Sequence, residues 1–126
     1  MLNNKSILIT GGTGFFGRNF IRYIYENYKP ARVVVFSRDE AKQFNMQNEF
    51  PKEKYKNLKF FIGDVRDKDR LIMACDDIDY VVHAAALKHV PVAEYNPIET
   101  IKTNIYGAEN VIQASLHCGV KKIIAL

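Results

Sequence analysis

The stretch SILITGGTGFFG, residues 6–17, decides the fold of this chain. Its first five residues form a short, mainly apolar run that ends at glycine, as expected for a strand buried on both faces of a parallel sheet. From Phe15 to Tyr28, apolar residues recur at spacings of three and four, which predicts an amphipathic helix ending before Pro30. The stretch therefore predicts a strand, a glycine turn and a helix.

The spaced glycines of this turn are suited to holding a pyrophosphate. Gly11 and Gly14 would let the backbone turn tightly and approach a phosphate, and Gly17 would let the helix pack closely on the strand. The start of the helix adds free N–H groups and the positive end of its dipole. A plain glycine turn that only joins strand to helix is the alternative.

Further apolar runs alternate with helical spacing along the rest of the chain. The predicted strands after the first cover residues 32–36, 58–62, 79–83 and those from Val120 onward. The later predicted helices cover residues 38–50 (a polar helix or helix-rich loop), 67–74 and 97–118. This alternation predicts an α/β fold, a doubly wound parallel sheet, with residues 84–96 as a loop of the kind that carries active-site residues.

The helix predicted over residues 97–118 has a mainly apolar face and a glycine cap, Gly119, at its C-terminus. The residues predicted to share that face are Ile101, Asn104, Ile105, Ala108, Val111, Ile112 and Ser115. The chain then stops at Leu126, inside or just after the fifth predicted strand. Since ligands of such folds bind beyond the carboxyl ends of the strands, we expect the chain to be the N-terminal part of a longer domain.

Length and composition restrict the class of protein. The 126 residues suffice for one domain, and 48% hydrophobic with 25% charged residues is ordinary for a soluble globular protein. No apolar run approaches the roughly 18 residues needed to span a membrane, and no signal-peptide core is present, so we expect the cytoplasm. Cys75 and Cys118 lack metal or disulfide spacing and are expected to be reduced thiols on packed helices.

The net charge of +4 is compatible with an anionic partner, either a nucleotide cofactor or a nucleic acid. The basic residues are scattered over several elements and no nucleic-acid motif is present, which argues against nucleic acid. The end of the second strand carries Ser37 and Arg38 where an acidic residue would favour NAD. Arg38, with Lys42 one turn later, therefore favours NADP, although both could be ordinary solvated charges.

Two further positions are candidates for contacts with a cofactor. Asp64 follows the third strand and could accept a hydrogen bond from an adenine amine, although Asp64 and Asp67 both also suit a helix N-cap. Small side chains follow the fourth strand at residues 84–86. These residues would let a cofactor lie close to the backbone, but tight packing would need the same residue types.

Five strings resemble the extended short-chain dehydrogenase/reductases that act as UDP-N-acetylglucosamine 4,6-dehydratases. They are ITGGTGFFG, VVVFSRDEAKQ, FFIGDVRDKDRL, HAAALKHVPVAEYNPIETIKTNIYGAENVI and GVKKIIAL, and they cover most of the chain. The LKHVP and EYNP segments are the most specific. The resemblance is closest to the soluble inverting enzymes that begin the synthesis of pseudaminic acid and related capsular sugars. It implies a Rossmann-like fold, an NADP cofactor, a UDP-sugar substrate and a homo-oligomer.

The resemblance also implies residue roles. Thr13, Gly14, Phe15 and Phe16 would contact the pyrophosphate; Ser37, Arg38, Asp39, Glu40, Ala41 and Lys42 the 2′-phosphate; Asp64 and Val65 the adenine; and Ala84 the cofactor cleft. Lys88 would touch both cofactor and nucleotide-sugar, and Asn104 would support the site. The family commonly has Ser where Phe15 stands, so backbone N–H groups would have to replace that hydroxyl.

In the family, NADP oxidises sugar carbon 4, water leaves across carbons 5 and 6, and the hydride returns to carbon 6. The Thr-Asp-Lys string and the Tyr-x-x-x-Lys pair that carry this chemistry follow the fifth strand, so no catalytic residue is assigned within this chain. Tyr25 with Lys29 and Tyr55 with Lys59 match the pair by chance, because both lie outside the expected site. The alternatives are a noncatalytic NADP-sensing module and a nucleotide-sugar epimerase or reductase.

Overall fold

The computed structural model describes residues 1–85 and 97–126. Five parallel strands form one sheet in the order β3-β2-β1-β4-β5. The strands are β1 (Ser6–Thr10), β2 (Arg32–Ser37), β3 (Leu58–Ile62), β4 (Tyr80–His83) and β5 (Lys122–Ala125). The helices are α1 (Phe15–Asn27), α2 (Glu40–Glu49), α3 (Lys68–Ala74), α4 (Pro97–Ile101) and α5 (Gly107–Cys118). The predicted Rossmann-like, doubly wound fold is confirmed.

The strand order creates a crevice between β1 and β4. The chain builds outward from β1 through β2 to β3, then returns to the other side of β1 as β4 and β5. In doubly wound sheets the ligand lies where the strand order reverses, at the carboxyl ends of the strands. Thr10 and His83 are the last residues of the two strands that border this point, and they are register partners.

Burial on both faces of the sheet explains the continuous apolar strands. Ile7 and Ile9 of β1 pack with Ile21 and Ile24 of α1 on one face, because alternate side chains of a strand point the same way. Leu8, between them, belongs to the opposite core, which Leu71 of α3 and Val111 of α5 complete. A strand inside such a sheet needs apolar residues at every position, and this is why the strands could be located from the sequence.

The helix predicted over residues 97–118 is not one regular helix. A π-helical turn, Lys102–Tyr106, separates α4 from α5. Because this turn is wider than an α-helical turn, residues before it and after it no longer share the face that regular helical spacing would give them. Val111 and Ser115 are buried against the core, whereas Ile105 and Ile112 are 59% and 49% exposed. The predicted common face is therefore wrong: α5 packs through its buried residues Gly107, Val111, Ala114 and Ser115.

Helix ends follow local hydrogen bonding. Residues 40–49 form a true helix rather than a loop, because the Asp39 carboxylate accepts a hydrogen bond from the Lys42 N–H and caps α2. Gly119 caps α5 at φ 73°, as predicted. Cys75 is the C-cap of α3 and Cys118 is the last residue of α5, and both are free cysteines.

Candidate functional site

The carboxyl ends of β1 to β4 line an open cleft of about 360 Å³. Its lining residues are Gly11, Thr13, Gly14, Phe36, Ser37, Arg38, Asp39, Lys42, Gly63, Asp64, Val65, Ala84 and Ala85. Most of the residues predicted to bind a cofactor thus come together in one place, although they are spread over more than seventy positions of the sequence. Ala85, one of the small residues expected beside the cofactor, lines the cleft as well, whereas Phe36 and Gly63 line it without having been predicted.

Gly11 fits the backbone that follows β4. Its φ is +67°, in the left-handed region that glycine adopts without strain, and a Cβ placed on it would lie 2.8 Å from both Cα and N of Ala85. A side chain at this position would therefore collide with backbone that cannot move independently of β4. The tight turn predicted for Gly11 is confirmed, and it brings residues 84 and 85 to the edge of the cleft.

Gly14 differs from the other glycines of the turn. A Cβ on Gly17 would lie 2.3 Å from the carbonyl oxygen of Gly12, so packing of α1 against the turn requires glycine there. A Cβ on Gly14 would meet only the Gly11 carbonyl oxygen at 3.6 Å, which is ordinary contact. Among the residues that the structure describes, therefore, nothing requires glycine at position 14, and Gly14 lines the cleft.

The start of α1 offers uncapped backbone donors. Its N-cap is Gly14, which has no capping side chain, and its first turn contains no acidic residue. The first helical hydrogen bond comes from the Arg18 N–H to the Gly14 carbonyl oxygen at 3.1 Å. The N–H groups of Phe15, Phe16 and Gly17 precede that bond. Phe15 is 85% exposed and is not one of the residues that line the cleft.

Hydrogen bonds organise the loop after β2. The Ser37 hydroxyl lies 3.4 Å from the Thr13 hydroxyl and accepts a hydrogen bond from the Asp39 N–H. The Gln43 side chain donates to the carbonyl oxygens of Ser37 and Phe61, each at 3.1 Å, and joins the ends of β2 and β3. Gln43 was missed by the sequence analysis, because a glutamine in a polar helix carries no signal of burial.

The predicted 2′-phosphate segment is only partly in the cleft. Ser37, Arg38, Asp39 and Lys42 line it, whereas Glu40 and Ala41 are exposed and do not. The Asp39 carboxylate is engaged in capping α2. Arg38 remains 53% exposed at its side chain and lies 3.7 Å from an Asp64 carboxylate oxygen, so the cleft contains a guanidinium group held at one edge.

Asp64 is an ionised hydrogen-bond acceptor and not a helix cap. Its carboxylate accepts hydrogen bonds from the backbone N–H and side chain of Arg66, while Asp67 caps α3. Burial alone would raise the pKa of the Asp64 carboxyl, but the hydrogen bonds from Arg66 and the charges of Arg66 and Arg38 outweigh burial and lower it. The alternative interpretation of Asp64 as an N-cap is wrong, and its carboxylate is available at the cleft.

Thr10 and His83 form a buried polar pair under the cleft. The Thr10 hydroxyl oxygen lies 2.6 Å from Nδ1 of His83. It also accepts hydrogen bonds from the N–H groups of Ala84 at 3.1 Å and Ala85 at 3.3 Å. Burial lowers the pKa of His83 below its ordinary value of 6.5, because the charged ring would lose its hydration.

The two chance Tyr-x-x-x-Lys matches lie away from the cleft. Tyr25, in α1, donates a hydrogen bond to the Lys56 carbonyl oxygen, and burial raises its pKa to about 12. Tyr55 is buried in the core, with its ring 4.8 Å from that of Phe50. Both tyrosines are structural, as the sequence analysis expected.

Some predicted features lie elsewhere. Lys88 and the rest of residues 86–96 lie outside the described residues. Asn104 lies in the π-helical turn and is not one of the described residues that line the cleft. Within the described part of the chain, no group of three His, Cys, Asp or Glu side chains could hold a metal ion. Over the same residues, no helix has the length and apolar character needed to cross a membrane.

Comparison with known sequences agrees with the fold. Residues 7–126 match the family model described as polysaccharide biosynthesis protein. A relative in Campylobacter jejuni subsp. jejuni serotype O:23/36 (strain 81-176), UDP-N-acetylglucosamine 4,6-dehydratase (inverting), is 59% identical over 126 residues. The match covers 100% of this chain and 37% of that protein, so the chain spans little more than a third of its relative's length. The resemblance noted from the sequence is confirmed.

Solved structures show the same architecture. Pen from Bacillus thuringiensis matches with a TM-score of 0.92 and 45% identity, over 99% of this chain and 37% of that protein. UDP-glucose 4-epimerase from Bifidobacterium longum, solved in complex with NAD+ and UDP, matches with a TM-score of 0.76 and 27% identity, over 96% of this chain and 36% of that one. The fold is thus shared with a UDP-glucose 4-epimerase.

The lowered pKa of His83 predicts a pH dependence of stability. Below about pH 6.5, unfolded chains take up a proton at His83 while folded chains resist it, so the free energy of unfolding should fall until the lowered folded pKa is reached. Three carboxyls also have lowered pKa values, but their protonation reduces stability only in more acid solution, below about pH 4.5. They are those of Glu49, Asp64 and Asp79. Urea unfolding measured from above pH 6.5 into acid checks this window.

His83→Asn is the matched control for that measurement. Asn cannot titrate, and its side-chain oxygen can accept a hydrogen bond from the Thr10 hydroxyl. The variant should show a flatter dependence on pH between about 6.5 and the carboxyl range. Equal slopes for the natural protein and the variant would contradict this assignment.

Proposed function

Because this chain belongs to the polysaccharide biosynthesis protein family, we propose that residues 1–126 are the NADP-binding part of a UDP-N-acetylglucosamine 4,6-dehydratase. The observation that carries the proposal is the cleft: an uncapped helix start and a glycine with unused space at one end, and a guanidinium group at the other. These features match the two anionic groups of NADP, the pyrophosphate and the 2′-phosphate.

The donors at the start of α1 fit the pyrophosphate. The backbone N–H groups of Phe15 and Phe16 precede the first helical hydrogen bond and lie at the positive end of the helix. The missing Cβ of Gly14 leaves room for a phosphate to approach them. Thr13, with its hydroxyl near that of Ser37, connects this position to the loop after β2.

The groups at the far end of the cleft fit the adenosine half of NADP. The Arg38 guanidinium and the Ser37 hydroxyl are donors for the 2′-phosphate, and Lys42 adds a positive charge. The carboxylate that follows Arg38, that of Asp39, caps α2 and is therefore not free to select NAD by binding the ribose 2′-hydroxyl. Asp64 is an acceptor for the adenine amine, and Val65 supplies a buried apolar contact beside it.

When bound, NADP would accept a hydride from sugar carbon 4 and return it to carbon 6, so that loss of water yields a 4-keto-6-deoxy sugar with no net use of cofactor. The residues of this chain hold and orient the cofactor at the crevice between β1 and β4. Lys88 is proposed to contact both the cofactor and the UDP-sugar. No proton-transfer residue is assigned within residues 1–126.

We also propose that the protein works in the cytoplasm as a homo-oligomer. Cys75 is buried and free, and Cys118 is free, as is usual for proteins in reducing compartments. Several large apolar side chains of α4, the π-helical turn and α5 are exposed, which supports burial against another surface. They are Ile98, Ile101, Ile105, Tyr106, Ile112 and Leu116.

Removing the Arg38 charge should weaken the preference for NADP over NAD. Arg38→Gln should raise the dissociation constant of NADP+ by about tenfold to a hundredfold, the scale of a lost charge-assisted hydrogen bond, and leave that of NAD+ unchanged. The half-exposed contact with Asp64 is weak, so stability should hardly change. Isothermal titration calorimetry of the full-length natural protein measures both constants.

Arg22→Gln is the control for Arg38→Gln. It makes the same chemical change on α1. There the Arg22 guanidinium lies 2.7 Å from a Glu49 carboxylate oxygen, and Arg22 does not line the cleft. This variant should bind both dinucleotides as the natural protein does. Natural protein that binds NAD+ more tightly than NADP+, or an Arg38→Gln variant that retains its preference, would refute the assignment of NADP.

The reaction itself is tested with UDP-N-acetylglucosamine and the full-length natural protein. We expect a 4-keto-6-deoxy product, detected by mass spectrometry as loss of one water, without accumulation of NADPH. UDP-N-acetylgalactosamine, which has the mass of the substrate, would instead identify an epimerase. Tight NADP binding with no change in any UDP-sugar would support a noncatalytic NADP-sensing module.

A further inference from the structure

The buried pair of Thr10 and His83 has no assigned role in the proposed binding of NADP. Thr10 is fully buried and His83 is 7% exposed. They lie at the carboxyl ends of β1 and β4, the strands that border the crevice. Two polar side chains in this position need a reason, because a buried polar group costs free energy unless it is hydrogen-bonded.

Counting hydrogen atoms fixes the direction of the bond between them. A hydroxyl can donate one hydrogen bond and accept two. The Thr10 hydroxyl oxygen accepts from the N–H groups of Ala84 at 3.1 Å and Ala85 at 3.3 Å, so both of its acceptor positions are used. Its own hydrogen is left to point at Nδ1 of His83, 2.6 Å away. The His83 ring must therefore accept at Nδ1, and as a neutral ring it carries its proton on Nε2. Burial, which lowers the pKa of His83, favours this neutral ring.

The hydroxyl thereby holds the first two residues after β4. The Ala84 N–H is shared between the Thr10 carbonyl oxygen at 3.0 Å and the Thr10 hydroxyl. The Ala85 N–H donates a hydrogen bond to the Thr10 hydroxyl. The Ala85 Cα lies so close to Gly11 that a Cβ on Gly11 would be only 2.8 Å from it. Both residues line the cleft. The position of the Ala84–Ala85 backbone, one wall of the cleft, is thus set by Thr10, and the Thr10 hydroxyl is itself oriented by His83.

We propose that Thr10 and His83 are positioning residues that hold the Ala84–Ala85 backbone for the half of the dinucleotide beyond the adenosine. The inference rests on the proposed function, since it requires a dinucleotide in the cleft. The residues suited to the adenosine half follow β2 and β3, whereas Ala84 and Ala85 follow β4 across the crevice. A ligand that spans the crevice needs both sides, and one that stays over β2 and β3 does not.

Two ligands distinguish the two sides of the crevice. NADP+ needs both sides, whereas adenosine 2′,5′-bisphosphate, the adenosine half alone, needs only the side over β2 and β3. Thr10→Val keeps the shape of the side chain and removes the hydroxyl. In the full-length natural protein it should raise the dissociation constant of NADP+ about tenfold, the scale of one lost buried hydrogen bond. Binding of adenosine 2′,5′-bisphosphate should be unchanged. Thr10→Ser, which keeps the hydroxyl, should bind both ligands as the natural protein does.

A second pair of variants tests the acceptor and covers the case in which Thr10→Val does not fold. His83→Asn places an oxygen where Nδ1 accepts, and His83→Leu has no acceptor. Asn should preserve the affinity for NADP+ and Leu should weaken it selectively, with folding checked by thermal unfolding.

Three results would overturn the inference. Equal weakening of both ligands in Thr10→Val and His83→Leu would indicate a general structural role. Unchanged affinity for NADP+ in both variants would show that the pair does not position the wall. Natural protein that binds neither ligand would refute the proposed function and this inference with it, an outcome distinct from any selective loss.

Discussion

The close approach of the Gly11 turn to the backbone after β4 is the contact on which the site depends. The two segments meet so tightly that a single Cβ on Gly11 would lie 2.8 Å from Ala85. Because β1 and β4 are adjacent parallel strands, this contact fixes the width of the crevice at their ends. The start of α1, which follows the turn, is held over the same crevice, and this places its free N–H groups.

Charge is arranged around this rigid frame. Arg66 holds the Asp64 carboxylate through several hydrogen bonds, and Asp64 in turn lies near Arg38. A phosphate at the cleft would meet the Arg38 guanidinium, whose half-exposed contact with Asp64 is weak and leaves it able to turn toward a ligand. The same carboxylate reduces the net positive charge, which makes hydrogen-bond geometry more important than charge alone for any preference between NADP and NAD.

Sequence alone predicted the features that depend on local pattern. The central strands are mainly apolar because both of their faces are covered, and the glycine turn has its own spacing, so the strand, the turn and the helix of residues 6–17 could be predicted. Features set by distant contacts were missed or wrong. Ile105 and Ile112 were assigned to one face because the π-helical turn has no signature, and the partners Thr10 and His83 are 73 positions apart.

Gly14 allows the most direct test of the central claim, that the cleft holds the pyrophosphate of NADP. Its φ of −78° suits alanine, and a Cβ there meets only ordinary contact, so Gly14→Ala should fold and melt as the natural protein does. Calorimetric titration with NADP+ should nevertheless show binding weakened by about tenfold or more, because the methyl group would occupy the space left for a phosphate. Unchanged affinity for NADP+ in a normally folded Gly14→Ala protein would contradict the account.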